Sequence, residues 1–482
     1  MTKIPSMWRL PTSFFAVSLF TQLVSAQNQT IEYVGKITIN TSQKFQTVDG
    51  FGVSQAFQRA NQIQHLSTKN QTRVLDLLFS DTTGAGLTIL RNGIGSSNSS
   101  IRDYMNTILP VSPGSPSSTP NYTWDGVDSG QVWLSQQVMN NYGVKIFYAD
   151  AWSAPAFMKD NNEDTDGGLL CGVTGSSNSS CAGQDWRQAY ADYLVQYLRY
   201  YEEAGVHITH VSWLNEPELT EPYASMVSDG KQAADFLKVF TPTLRKSGLD
   251  VKILCCDAAG WEYQRQMVTD IQKAGAEPLM DIIASHGYSS PPTTPFASKL
   301  PTWQTEWADL SDPWTTAWDA EESDGEGFTW AVKIQDSFVQ SNCTAFIYWI
   351  GAEISPGNSM LIRLGNDTVE PSKKLWAMAQ FSRFVKPGAV RVGSTSTNST
   401  LHVSAFQNAD GGLAIQVINT HENDTDVQLV VQGATSLGSG RSWLTDNTND
   451  LTDQGGFQVS GGASNQTVQG RSMTSFIFEE LI

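Results

Sequence analysis

Two glutamates stand at the ends of short apolar runs, each with tryptophan close by. Glu216 falls within Val211-Ser212-Trp213-Leu214-Asn215-Glu216-Pro217-Glu218, and Glu306 within Trp303-Gln304-Thr305-Glu306-Trp307. A pair of carboxyl groups is what cleavage of a glycosidic bond requires: one protonates the leaving oxygen, and the other attacks or stabilises the anomeric carbon. The tryptophans at these strand ends offer flat apolar faces that suit sugar rings. Asn215, directly before Glu216, can hydrogen-bond a sugar 2-hydroxyl, an interaction that strengthens in the transition state. A single glutamate after a strand is ordinarily a salt-bridge partner or a charge at a helix N-terminus, so the inference rests on the pair. Asp150, Asp257, Asp309 and Glu353 also lie near strand ends, where a structural or binding role suits each better. No G-x-S-x-G elbow or His-rich cluster stands out, so neither a metal nor a cofactor is expected.

The pair can work only if a fold brings residues ninety positions apart together. From Gly50 to Trp349 short apolar strands alternate with helical patterns, as in βαβ units of a parallel sheet. Eight strands are predicted: Gly50–Val53, Leu87–Arg91, Val144–Ala149, Ile208–Leu214, Val251–Cys256, Asp281–Ser285, Pro301–Thr305 and Ala345–Trp349. Tyr190, Tyr193, Leu194, Tyr197, Leu198 and Tyr201 recur at helical spacing in Asp185–Ala204, with Asp185 placed to cap and Gly205 to terminate. A second helix is predicted over Ser67–Phe79, with Val74, Leu75, Leu78 and Phe79 inward. Eight units point to a closed (β/α)8 barrel over residues 48–387, with catalytic groups at the C-terminal ends of its strands. Pro110–Pro120 reads as a loop.

After Lys386-Pro387-Gly388 the pattern changes to period two. Leu401–Phe406, Leu413–Ile418, Val427–Val431 and Ser475–Glu479 are predicted strands of a β-sandwich over residues 388–482. Ile31–Phe45 reads as two strands with no helix to pair with, so residues 27–47 are expected to complete that sandwich.

Lys3 and Arg9 precede an apolar run from Phe14 to Val24 that closes on Val24-Ser25-Ala26. That is the layout of a secretory signal peptide over residues 1–26, the run being too short to span a bilayer. Eleven Asn-X-Ser/Thr sequons, from Asn28 to Asn465, agree with a secreted, extracellular glycoprotein of eukaryotic origin. Five cysteines fit an oxidising compartment and no metal spacing. Cys171 and Cys181 bracket a Gly/Ser-rich loop and are expected to pair; Cys343 can meet Cys255 or Cys256 if their strands lie close together, which would leave one thiol free. The net charge of −18 argues against nucleic acid or an anionic membrane as partner. A monomer is expected.

Several motifs, in order along some three hundred residues, resemble glycoside hydrolase family 30. They are Asp49-Gly50-Phe51-Gly52, Leu90-Arg91-Asn92-Gly93, Trp152-Ser153-Ala154-Pro155-Ala156-Phe157-Met158-Lys159, the Asn-Glu-Pro and Thr-Glu strand ends, Ser285-His286-Gly287-Tyr288, and Tyr348-Trp349. The resemblance implies a retaining glycosidase in which Glu216 is acid/base and Glu306 nucleophile. It implies further that Asn215 holds the 2-hydroxyl and that Trp152 and Trp349 line the subsite of the sugar being cleaved. Tyr288 would hydrogen-bond the nucleophile and His286 order it, a core-packed tyrosine and a core histidine being the alternatives; Asn92 is expected among the substrate-binding residues. Ala154-Pro155-Ala156 departs from the family, many members of which have Pro-Pro and an aromatic residue here.

The loop Val53-Ser54-Gln55-Ala56-Phe57-Gln58-Arg59-Ala60 resembles the fungal xylanase branch. A guanidinium can grip a carboxylate bidentately, so Arg59 is expected to read a (4-O-methyl)glucuronic acid branch of xylan, a surface or helix-start position being the alternative. The expected substrate is plant cell-wall β-1,4-xylan, in particular glucuronoxylan. A β-1,6-galactanase or β-1,6-glucanase is the rival within the family, and a non-catalytic carbohydrate-binding protein the rival outside it.

Overall fold

The computed structural model describes residues 35–97, 105–177, 179–433 and 438–479. The predicted leader, with sequons Asn28, Asn98 and Asn178, lies outside them. Residues 34–482 form one compact unit. Its strands are β1 (Gly35–Thr47), β2 (Gly50–Ser54), β3 (Ile89–Ile94), β4 (Ile146–Ala151), β5 (His210–Ser212), β6 (Lys252–Ala258), β7 (Ile282–His286), β8 (Thr302–Glu306) and β9 (Ala345–Glu353). They continue as β10 (Met360–Leu364), β11 (Val369–Pro371), β12 (Val390–Ser396), β13 (Leu401–Gln407), β14 (Leu413–Asn419), β15 (Thr425–Gln432), β16 (Gly440–Thr445), β17 (Thr452–Phe457), β18 (Ala463–Val468) and β19 (Ser472–Phe478). The helices are α1 (Arg59–Gln64), α2 (Thr68–Phe79), α3 (Gln131–Tyr142), α4 (Arg187–Glu203), α5 (Gly230–Ser247), α6 (Trp261–Lys273), α7 (Gly327–Val339) and α8 (Lys373–Ser382).

Strands β2 to β9 pair in sequence order, all parallel, and β9 pairs with both β8 and β2. The barrel is closed. Six of the seven connections between successive barrel strands carry a helix. The chain from Gly287 to Pro301 carries none, because Pro291, Pro292 and Pro295 cannot donate to a helical ladder. Helix α2 buries Val74, Leu75, Leu78 and Phe79, the stripe predicted from spacing. Helix α4 starts at Arg187, with Asp185 not at its cap but accepting from the Arg187 backbone and guanidinium.

Inside the barrel, side chains alternate along each strand and stack in layers. The lower layer is apolar: Ile89, Tyr148, Leu254, Ile282, Ala284, Trp303, Ala345 and Ile347. Two residues further along the same strands come Arg91, Asp150, His286 and Trp349, at the C-terminal mouth. The polar site thus rests on a packed floor.

Nine strands form the second sheet, in the order β17-β16-β19-β14-β13-β12-β1-β15-β18. Of the segment Ile31–Phe45, residues 31–34 lie outside the described ones; from Gly35 on it forms one bulged strand, β1, antiparallel to β12 and parallel to β15. Four strands of this sheet, β12, β16, β17 and β18, were not predicted; β17 is TDQGGF and β18 ASNQTV, with few apolar residues to reveal them. Cys171 and Cys181 form a disulfide. The second pairing differs from expectation: Cys255 bonds to its neighbour Cys256 and Cys343 is a buried free thiol.

Candidate active site

Glu216 follows β5 and Glu306 ends β8, and the two side chains converge. One oxygen of each, with a ring nitrogen of His286, all lie within 4.8 Å of one another. Both carboxylates are nearly enclosed, at 9% and 5% exposure. Glu216 has φ of +49°, a conformation costly for a residue with a Cβ. Its amide donates to the Asp257 carbonyl at 2.8 Å, and Asp257 is itself left-handed, so strand β6 fixes the turn that aims Glu216.

Each carboxylate has its own partners. Tyr288 Oη donates to Glu306 Oε1 at 2.8 Å, and Arg91 Nη1 donates to Glu306 Oε2. Arg91 Nη2 donates to Asp150 Oδ2 at 2.6 Å and to Asn215 Oδ1 at 2.7 Å. With its oxygen so engaged, Asn215 keeps its amide nitrogen as a donor. His286 Nδ1 lies 3.1 Å from Glu216 Oε1, and its Nε2 lies 3.8 Å from both Glu306 and Asp257. Thr305 Oγ1 donates to Asp257 Oδ1 at 2.6 Å.

Charges sort accordingly. Burial raises the Glu216 carboxyl above the ordinary glutamate range; the hydrogen bond from His286 opposes this and the Glu306 charge adds to it. For His286, burial works to lower the imidazole, but the Glu306 charge, then Asp257 and Glu216, push it up to about 10. Burial and the neighbouring charges thus set the two carboxyls in different environments, with the imidazole favoured in its charged form between them. Glu216, His286 and Glu306 are also a set whose ligand atoms gather closely enough for a metal ion. Tyr288 and Arg91 already hold one oxygen each of Glu306, and His286 holds Glu216, so the trio stands as a hydrogen-bonded group.

Trp152 and Trp349 form one wall, ring centroids 5.8 Å apart, with Phe57 edge-on to both at 4.9 and 6.2 Å. The Arg91 guanidinium lies over Trp152 at 4.6 Å and so fixes it from beneath. The tryptophans beside the two glutamates in sequence are elsewhere. Trp213 packs outward on Phe236 and Phe240, and Trp307 is wedged against Gly287 and Trp330.

Two further expectations change. Asn92 faces away from the barrel interior and donates to Ser135 Oγ on α3 at 3.0 Å. Period-two alternation puts its neighbour Arg91 into the site instead. A lone arginine within a buried strand was the available signal, since such a charge must find carboxylates. Arg59, at the start of α1 and 8% exposed, already has a carboxylate: its Nε and Nη2 donate to Glu353 Oε1 at 3.1 and 2.9 Å, and its Nη1 to the Phe57 carbonyl at 2.9 Å. A substrate uronate would have to compete with Glu353. Phe57 and Arg91 stood unremarked within quoted motifs, and nothing in the spacing pointed to Tyr223, 6.2 Å from Phe57.

Two glutamates facing each other across the mouth of a parallel eight-stranded barrel are an arrangement that suits a glycoside hydrolase. The narrower identity follows from known relatives. The model for O-glycosyl hydrolase family 30 matches residues 34–291, and that for the glycosyl hydrolase family 30 beta sandwich domain matches residues 388–476. The chain belongs to glycoside hydrolase family 30. It is 42% identical to the catalytic domain of the family 30 xylanase C from Talaromyces cellulolyticus, covering 92% of this chain and 99% of that one with a TM-score of 0.85. It is 25% identical to a family 30 subfamily 8 xylanase from Clostridium acetobutylicum, with a TM-score of 0.71 and coverage of 92% and 99%. An endo-1,6-β-D-glucanase from Trichoderma harzianum is also 25% identical, over 83% of this chain and 81% of its own.

Proposed function

We propose that the protein is a secreted retaining β-1,4-xylanase. The observation that carries the mechanism is the approach of Glu216 and Glu306 oxygens to within 4.8 Å, which suits direct attack and leaves no room for the water that inversion places between the carboxyls. Glu306 attacks the anomeric carbon while Glu216 gives its proton to the departing glycosidic oxygen. Glu216, now a carboxylate, then takes a proton from water, and that water's oxygen displaces Glu306. Asn215 Nδ2 donates to the 2-hydroxyl, and Tyr288 and Arg91 hold one oxygen each of Glu306. Trp152 and Trp349 bound the sugar.

Xylan is favoured over β-1,6-glucan by the 42% identity to a xylanase over nearly the whole chain. Glucuronoxylan remains the form of choice for assay, although the pairing of Arg59 with Glu353 removes the reason first given for a uronate preference. An electrophilic xylose analogue should inactivate the enzyme and label Glu306; a label on another residue would overturn the assignment. Products from xylan, with none from pustulan or β-1,6-galactan, are expected. The opposite profile would make it a β-1,6-glucanase or galactanase.

A further inference from the structure

We infer that the outer wall of the barrel, between α4 and α5, carries a second carbohydrate site that takes uronate-bearing polysaccharide. A groove of about 730 Å³ runs there, with Arg199 of α4 and Lys238 and Lys246 of α5 in its lining. Asp192 is the one carboxylate among its lining residues. Three cations against one acid is unexpected in a chain whose net charge is −18. Nearby cations are neutralised: Arg187 pairs with Asp185 and Arg245 with Asp281. Among the described residues, Arg199, Lys238 and Lys246 make no ion pair within 4.0 Å; Lys246 is near enough to Asp192 to be felt by its carboxyl, and Arg199 donates to the Ser247 carbonyl at 3.2 Å.

Helix geometry explains the groove. Lys238, Pro242 and Lys246 are four residues apart on one face of α5, so the two ammonium groups stem from points about 12 Å apart along its axis. Pro242 has no N–H to donate to the Lys238 carbonyl, and its ring adds apolar surface between the two lysines. Tyr122 and Pro242 give the lining apolar surface. Screening over about 8 Å at physiological salt confines the molecule's overall negative field, so the local cations decide what approaches this wall. Carboxylates spaced along a glycan fit a line of unpaired cations beside hydrogen-bonding groups. A neutral chain would have no use for the charge. The site faces away from the strand ends that carry Glu216 and Glu306, so it would hold polymer without cleaving it. It depends on the xylan reading only for which polymer the enzyme meets.

The test measures retention of Glu306→Gln protein, which cannot turn substrate over, in gels containing glucuronoxylan, polygalacturonate or uronate-free xylan. Retention by both acidic polymers is expected, with affinity falling on the order of tenfold in K238A/K246A and by a similar factor in high salt. In the otherwise wild-type enzyme the same double substitution should leave kcat/KM on short neutral xylo-oligosaccharides unchanged. Equal retention by acidic and neutral polymers, or retention indifferent to the substitution, would overturn the inference. Loss of hydrolysis on every xylan would instead count against the proposed function.

Discussion

The acid/base role proposed for Glu216 depends on a single neighbour more than on sequence context. His286 supplies a hydrogen bond and a positive charge that hold the Glu216 carboxyl down against burial. Its replacement by Gln should therefore keep Glu216 protonated to higher pH. The alkaline limb of kcat/KM should move upward while kcat falls; an unchanged limb would mean that His286 only packs. Stability gives a second readout. His286 rises from 6.5 to about 10 on folding, so its contribution is complete below pH 6.5 and is lost as pH climbs towards 10. Thermal midpoints of H286Q should approach those of the parent above pH 10 and fall short below 6.5. Tyr288→Phe removes the donor to Glu306 Oε1 and should lower kcat about tenfold or more, with KM little changed.

Elements set where these groups point. Gly287 lies between His286 and Tyr288, and a Cβ there would meet Trp307 Cδ2 at 2.3 Å. Neither partner can yield easily, since Trp307 is backed by Trp330. Gly287→Ala should cost about 1–3 kcal/mol and disturb both Tyr288 and His286, so activity should fall further than stability measured by denaturant. Helix α5 offers a contrasting case remote from the chemistry. Asp229 caps it, accepting from the Lys231 and Gln232 amides, while the Gln232 side chain accepts from the Asp229 amide. Asp229→Ala should cost about 1 kcal/mol in urea unfolding and leave kcat intact.

At the scale of the molecule, barrel and sandwich share one core. The large apolar cluster that fills the helix layer extends to Phe406, Ala414, Ile418, Leu451 and Met473 of the second sheet. Gln380 of α8 donates to Thr445 Oγ1 and the Met473 carbonyl, and Trp318 Nε1 to the Arg471 carbonyl. A chain ending at Pro387 would expose that surface and lose those bonds. It should be insoluble or rapidly proteolysed; a soluble, active truncation would show that the barrel stands alone.

What the sequence determined was whatever depends on local periodicity. The number and order of the barrel strands, the α2 stripe and the placing of Glu216 and Glu306 near strand ends follow from alternation and helical spacing, because burying apolar side chains on a barrel demands those periods. The strand bounds themselves shifted by up to four residues. Polar strands such as β17 and β18 carry no such pattern and went unseen. Tertiary structure alone decided which neighbour of a pair faces inward, as with Arg91 over Asn92, since alternation makes neighbours point opposite ways without saying which of them meets the barrel interior. It alone decided partners as well. Arg59 meets Glu353, far along the chain, because pairing depends on distance in space, which a linear order of residues does not contain.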